Sequence, residues 1–532
     1  MHIIKAWKTI VVVVVSATAL QAADWPEWRG PTRDGKAPQS PELARAWPQN
    51  GPPKLWESEP LLCRDGGSGS PIVADGRVYV YASMYQVPLT TRTLPDNHIR
   101  EAGWSTEKLP PELLEKIDRA RDSEERTKLT GNELNAWITK WIETNLDEEQ
   151  RKKFGAVTGA RLRRGPPALD VAVMNKLDAI TNRPFATSEL FEKWLAESGL
   201  PENVKKEVVQ RVATTRDVNS DTIICLNAAD GKLVWRKEYP WAKRDAHHST
   251  PCVAGGRCYV VGSDGAVYCL DAKTGEVVWK GKVGNSNCSP IVSDGLVIIP
   301  CHSFGGKPFP MTALDAATGV VKWTQPKVFY THVSPVAWEK AGKKYVIGVG
   351  VTNVVCLATQ TGEIAWELRC GGGNPTPVFQ GDTMVVMYSP GKPGGVTAYK
   401  LSPEKAEKMW TIEDFPSLGA SPIILNGHVY AFGRQATICV EIETGKELWR
   451  KKELKSEYCS PILADGKILL GATMLNADPT DCTVLAKANV DMQTMTSPAF
   501  FDGKLVIRGT KSVSCYDLTP APPKNIVHVA PE

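Results

Sequence analysis

Charge of one sign is what this chain lacks first. Its 63 lysines and arginines stand against 59 acids, a formal +4, and residues 1–22 hold Lys5 and Lys8 with no acid, so the remainder carries +2. A near-neutral chain gives no general electrostatic case for nucleic acid. Beyond the first 22 residues no apolar run reaches the ~20 residues that span a bilayer, which excludes a multi-pass membrane protein. There is no Cys-x-x-Cys-His for covalent haem and no paired Cys-x-x-Cys with zinc-ribbon spacing. Gly-rich phosphate loops, His-Glu-x-x-His and nucleophile elbows are also missing.

What is present is an ordinary globular composition, 42% apolar and 23% charged, in 532 residues. That length exceeds one ordinary domain of ~150 residues, unless the fold is a repeat whose units need only their neighbours. The start reads as a cleavable export signal over residues 1–22. Lys5 and Lys8 precede a short apolar run from Ile10 to Val15 that continues through Ala17 and Leu20, and the small Ala22 and Ala23 follow. The first cysteine is Cys63, so no lipid anchor at a new N-terminal cysteine is expected. Export places the mature chain in the periplasm or outside the cell, where disulfides persist; its 13 cysteines are odd in number, so at least one stays unpaired within the chain.

Internal repetition dominates the rest. A Ser-Pro or Thr-Pro step followed by an apolar pair recurs at Ser70, Thr250, Ser289, Ser334, Thr376, Ser421, Ser460 and Ser497. Most copies lead into an Asp-Gly or Asn-Gly turn and an alternating run such as Arg77-Val78-Tyr79-Val80-Tyr81, a strong hairpin signal. Downstream, a strand ending in Cys-Leu-Asp or a similar triplet turns at a glycine into a strand that closes on tryptophan. From Thr250 onward the copies are 37 to 45 residues apart, which fits four-stranded propeller blades with strands A to D. The last copy has room for only three strands, and Lys54-Leu55-Trp56 looks like the missing fourth. The expected fold is therefore an all-β, eight-bladed propeller closed by its N-terminal strand.

Between the first two copies lies an insertion of about residues 86–216, richer in charge than the remainder and free of cysteine. Leu134, Trp137, Ile138, Trp141 and Ile142 have helical spacing, as do Leu190, Phe191, Trp194 and Leu195. The segment is expected to be a helical cap between strands B and C of the first blade, on the face that carries the channel mouth. The expected organisation is a signal over 1–22, the closing strand and start of blade 1 over 23–85, the cap over 86–216, the remaining propeller over 217–518 and a tail over 519–532.

The repeat Ser-Pro-Ile-Val…Asp-Gly…Cys-Leu-Asp-Ala-Lys-Thr-Gly-Glu-Val-Val-Trp resembles the pyrroloquinoline quinone (PQQ) repeat, and Asp24-Trp25-Pro26-Glu27-Trp28-Arg29-Gly30 looks like the leader of exported bacterial members. The family includes quinoprotein alcohol dehydrogenases and BamB-type outer-membrane assembly factors. The resemblance implies that Trp56, Trp235, Trp279, Trp323, Trp366, Trp410 and Trp449 dock adjacent blades. It implies less about function, since fold does not carry function with it. The dehydrogenases typically place a vicinal Cys-Cys disulfide over the quinone, and this chain has no adjacent pair. Their calcium-binding and catalytic acids have no counterpart that can be phased here.

Propeller topology puts the residues just before each Ser/Thr-Pro step around the channel mouth. Two positions ahead stand Ser68, His248, Asn287, His332, Asn374, Gly419, Tyr458 and Met495, and His247 and Glu457 adjoin them. His247, His248, Asn287, His332, Asn374, Glu457 and Tyr458 are thus the candidate ligand-binding residues, with a hydrated polar mouth as the plainer alternative. No metal site is expected, because adjacent residues such as His247 and His248 point to opposite sides of a strand. The recurrent Cys225, Cys269, Cys356, Cys439 and Cys515 read as small core residues, while Cys288 and Cys459 are expected to face the mouth.

These features favour a non-catalytic, exported binding or scaffold protein of the cell envelope, monomeric, with an envelope protein or small molecule as partner and no cofactor. The alternative is a PQQ- and calcium-dependent alcohol or sugar dehydrogenase. Hydrolase or lyase chemistry on the rim histidines is a third reading.

Overall fold

The Asp-Gly and Asn-Gly steps make the turns their chemistry favours. Asp75-Gly76, Asp294-Gly295, Asn426-Gly427, Asp465-Gly466 and Asp502-Gly503 each place both residues at positive φ, the requirement of a tight two-residue hairpin. In the computed structural model, which describes residues 24–61, 69–94, 109–166, 170–240, 248–301, 309–328, 332–350, 352–370, 373–388 and 394–521, these hairpins build eight four-stranded antiparallel sheets. Residues 1–22 and most of the tail lie outside the described residues. The eighth sheet runs Lys54–Glu57, Val513–Asp517, Lys504–Arg508, Ala499–Phe501, so the N-terminal strand supplies the outermost strand of the last blade.

Seven bonds between the Ser/Thr residues of the repeated dipeptide link neighbouring blades, while the Thr376 hydroxyl accepts from the Trp28 indole instead. The backbone N–H of Ser70 donates to the Thr250 hydroxyl, Thr250 to Ser289 and Ser289 to Ser334, all at 3.0 Å. Thr376 donates to Ser421, Ser421 to Ser460, Ser460 to Ser497 and Ser497 back to Ser70, at 2.9 to 3.1 Å. The repeat needs a short hydroxyl here because each of these bonds satisfies a buried N–H that would otherwise go unpaired.

A second linkage runs through the tryptophans. The indole N–H groups of Trp56, Trp235, Trp279, Trp323, Trp366, Trp410 and Trp449 donate to the carbonyls of Ala228, Ala272, Ala316, Thr359, Ser402, Ile442 and Asp478 in the turn of the following blade. The glycine of that turn makes room for the ring. A Cβ on Gly275, at φ +70°, would lie 2.7 Å from Trp235. Within each blade the tryptophan pairs with a small residue on strand C: Cys225 with Trp235, Cys269 with Trp279, Ala313 with Trp323, Cys356 with Trp366, Ala398 with Trp410, Cys439 with Trp449 and Cys515 with Trp56. Burial pushes the thiols of Cys225, Cys356, Cys439 and Cys515 up to about 12, in keeping with inert packing. No disulfide joins the twelve described cysteines, and Cys63 lies outside the described residues.

Blade seven inverts this size relation. Ala486 takes the tryptophan's position and pairs with the larger Met474. The seam it leaves is closed by the chain's N-terminal segment. Trp47 packs against the cluster holding Leu469 and Met474, the Leu43 N–H donates to Asp465 Oδ2, and the Ala44 N–H donates to the Leu518 carbonyl.

Residues Gln86–Asp217 form a separate compact unit, with helices from Pro111–Arg121 to Glu202–Arg211. It interrupts the first blade between Arg77–Thr93 and Ala213–Asn227, its strands B and C. Its buried clusters take in Ile138, Phe185, Phe191 and the half-buried Trp137, Trp141 and Trp194, whereas Leu190 is exposed. At its centre Arg161, 0% exposed, grips Asp118 through Nε and Nη2 at 2.7 and 3.0 Å. No described helix is long and apolar enough to cross a membrane.

Candidate functional site

The innermost A strands of a propeller leave unpaired backbone groups facing the channel. Here residues 24–37 cover them. Trp25 exchanges both backbone hydrogen bonds with Val73 of blade one, and the Pro26 carbonyl accepts from Val253 of blade two. Arg33 donates to the carbonyls of Ser289 and Pro290 in blade three, Arg29 to that of Pro422 in blade six, and Gly35 and Ala37 bracket Leu463 of blade seven. Tight turns pack this chain, with Arg29, Gly30, Arg33 and Gly35 all at positive φ. A Cβ on Gly30 would fall 2.8 Å from the Trp25 ring. Both arginines are nearly inaccessible, at 3% and 2%. Burial pushes the Arg29 guanidinium down to about 10. Glu27, 2.5 Å from Arg33, has its carboxyl raised by burial, with the charge of Arg33 pulling the other way.

Trp28 of this segment lines a cavity among the loops that enter the A strands. Its Nε1 donates to the Thr376 hydroxyl at 3.2 Å. Around it stand His248, Asn287, Ser289, His332, Ser334, Asn374, Gly419, Tyr458 and Met495, enclosing about 270 Å³. Successive blades contribute them from the loops that enter their A strands. Where blade six offers only Gly419, Tyr458 of blade seven leans across, with Cδ1 3.1 Å from the place a Cβ would take. The Asn287 Oδ1 is buried and makes no hydrogen bond. Met495 holds φ +67° while 42% exposed, a strained backbone for a long side chain. Thr496 beside it donates from N and Oγ1 to the Gln493 carbonyl, which keeps the turn in place.

Of the seven candidate residues, five line this one cavity: His248, Asn287, His332, Asn374 and Tyr458. His247 lies outside the described residues, as does Ser68. Glu457 is not part of the lining. It faces outward, 3.4 Å from Arg434, because alternation sends its neighbour Tyr458 inward. The same alternation corrects Cys288 and Cys459, which do not line the cavity. Cys288 is fully buried, and burial pushes the Cys459 thiol up to about 12. Trp28, Ser289 and Ser334 were not among the candidates. The only sequence signal for Trp28 is a tryptophan- and arginine-rich segment too aromatic for a linker, with nothing to say that it enters the channel. No described group of three or more His, Cys, Asp or Glu side chains gathers to hold a metal.

The sequence model of the outer membrane protein assembly factor BamB matches residues 219–337 and 309–420, across in-phase copies of the blade repeat. The chain is a PQQ-repeat β-propeller. This propeller is 26% identical over 314 residues to outer membrane protein assembly factor BamB of Moranella endobia (strain PCIT), covering 54% of this chain and 77% of that protein. It is 27% identical over 404 residues to the protein of the same name from Salmonella typhimurium (strain LT2), covering 66% and 93%. Among solved structures, quinohemoprotein alcohol dehydrogenase from Comamonas testosteroni superposes with a TM-score of 0.51 at 12% identity, over 95% of this chain and 82% of that one, which is a likeness of fold.

Proposed function

We propose that this PQQ-repeat propeller is an exported, non-catalytic binding protein of the cell envelope that recognises its ligand or partner at the channel mouth. The observation that carries the reading is the cavity, lined among the described residues by Trp28 and by groups that hydrogen-bond but bear no carboxylate, lysine or arginine. Such a cup can hold and orient a ligand. Among the described residues it offers no carboxylate to take a proton from an alcohol and no fixed charge to stabilise one forming, and its proton-accepting groups are the imidazoles of His248 and His332. The likeness to assembly factors named BamB supports a scaffold role, and the helical unit Gln86–Asp217 gives a protein partner a second surface.

The dehydrogenase reading draws on the likeness to quinoproteins. Calcium takes six to eight oxygen ligands with carboxylates prominent among them. The described lining supplies amide and hydroxyl oxygens to a metal, and among the described residues no arginine or lysine lines the cavity where an acidic quinone would sit. These residues do not fit PQQ with calcium.

The test is calorimetric titration of the mature protein with PQQ, in calcium and again in chelator. No saturable heat is expected in either, and stoichiometric calcium-dependent binding would overturn the proposal. In parallel, capture of envelope components by the wild type should be lost in Tyr458→Ala and His332→Ala variants that keep the wild-type melting temperature.

A further inference from the structure

We propose that the mouth cavity takes one neutral sugar ring, free or at the end of a glycan chain; this rests on the reading of the mouth as a recognition site. Charge narrows the ligand first. The described lining has no lysine, arginine, aspartate or glutamate, so neither an anion nor a cation meets an opposing fixed charge. Hydrogen-bonding capacity narrows it next. Two amides, two imidazoles and a phenol mix donors and acceptors around one small space, beside two serine hydroxyls already accepting from the neighbouring blade, the match for a ligand whose groups both donate and accept. Hydroxyls do so. Asn287 and Asn374 bring their amides to the lining from blades three and five.

The apolar part of the lining asks for something else. The one polar atom of Trp28 is committed to Thr376, so the indole offers a ligand only ring carbon. The exposed Met495 side chain adds a second apolar contact, presented by a strained backbone that the Gln493–Thr496 turn maintains. A compound with hydroxyls around its edge and C–H groups on its faces satisfies both requirements, and a pyranose is such a compound. At about 270 Å³ the cavity falls just below the ~300–1,000 Å³ of drug-sized sites, which suits one ring with the rest of a chain outside.

The test is titration of the mature protein, by calorimetry and ligand-observed NMR, with glucose, galactose, mannose and N-acetylglucosamine, with their β-linked disaccharides, and with inorganic phosphate and acetate as charged probes. At least one neutral sugar should bind one to one. Asn287→Ala and the solvent-exposed Asn374→Ala should each weaken it by about tenfold or more, and the analogue lacking the contacted hydroxyl should bind weaker by a similar factor. Trp28→Phe should retain binding that Trp28→Ala loses. A disaccharide that binds no better than its terminal sugar fits a single-ring site, and one that binds far better points to a glycan as the source. Binding of phosphate or acetate in place of sugars overturns the proposal, as does sugar binding unchanged in both asparagine variants. If no sugar binds while envelope capture still depends on Tyr458, the ligand class is wrong and the recognition site stands. If a sugar binds and PQQ also binds with calcium, the non-catalytic reading fails and the sugar assignment stands.

Discussion

The backbone N–H of Ser497 donates to the hydroxyl of Ser70 at 2.9 Å, joining residues 427 positions apart. This bond joins the last blade to the first in the belt of Ser/Thr links around the channel. The outer edge of the same junction is held by Trp56, whose indole reaches the Ala228 carbonyl of blade one. One short hydroxyl and one ring therefore close the circle at two radii.

Removing that hydroxyl should cost more than an average surface change. Ser70→Ala strands the buried Ser497 N–H, a loss of about 1–3 kcal/mol. Chemical denaturation should show a lower midpoint, with Ser70→Thr close to wild type because threonine fills the same place in blades two and five. An unchanged midpoint for Ser70→Ala would mean that the belt adds nothing to stability.

Arg33 and Glu27 should behave as a coupled pair. Arg33→Ala leaves Glu27 buried without its cation and should destabilise by about 3–5 kcal/mol. Because the Glu27 carboxyl is raised, its folded state holds a proton more readily than the unfolded chain, so this carboxyl costs stability as pH rises from 4.5 toward its folded-state value. Replacing it by glutamine in the Arg33→Ala background should recover part of the loss at pH 7. Melting temperatures of the two single variants and the double variant give the coupling directly, and strict additivity would sink this account.

Docking tryptophans should matter where they exist. Trp279→Ala removes a nearly buried ring and its bond to Ala316, an expected loss of about 3–5 kcal/mol. The effect should appear as faster hydrogen exchange in the strands flanking the seam between blades two and three, with other seams little changed.

The helical unit should weaken in acid. Burial alone would raise the Asp118 carboxyl, but Arg161 and Arg121 outweigh it and hold the group below 3.8. Its contribution is therefore complete above the unfolded value and disappears as pH falls through the lowered folded one. Helical circular dichroism should fall over that acidic window in the wild type, and an Asp118→Asn variant should be weaker at neutral pH with the acid step flattened.

Much of this molecule is legible in one dimension because its repeat is. Asp-Gly at hairpins, Ser/Thr ahead of proline and a tryptophan four residues after a glycine recur in phase, so eight blades and the strand swap at Lys54–Glu57 follow from counting. The ring of His248, Asn287, His332, Asn374 and Tyr458 follows from the same phase, since equivalent positions in a propeller converge on one axis. Glu457, Cys288 and Cys459 did not follow, because a one-residue shift in a loop turns a side chain from the mouth to the surface or the core.

The repeat pattern by itself determined the blades, their closure and which loop positions meet. Only the tertiary structure decided that Asp24–Ala37 bonds to the A strands of five blades, that Trp28 lines the cavity, and that Trp47 packs against the cluster where Ala486 stands in for tryptophan. The physical reason is that these segments occur once. A repeated unit reports its environment in every copy, whereas a single segment is placed by the backbone groups it satisfies and the space left to it, and neither exists until the ring has closed.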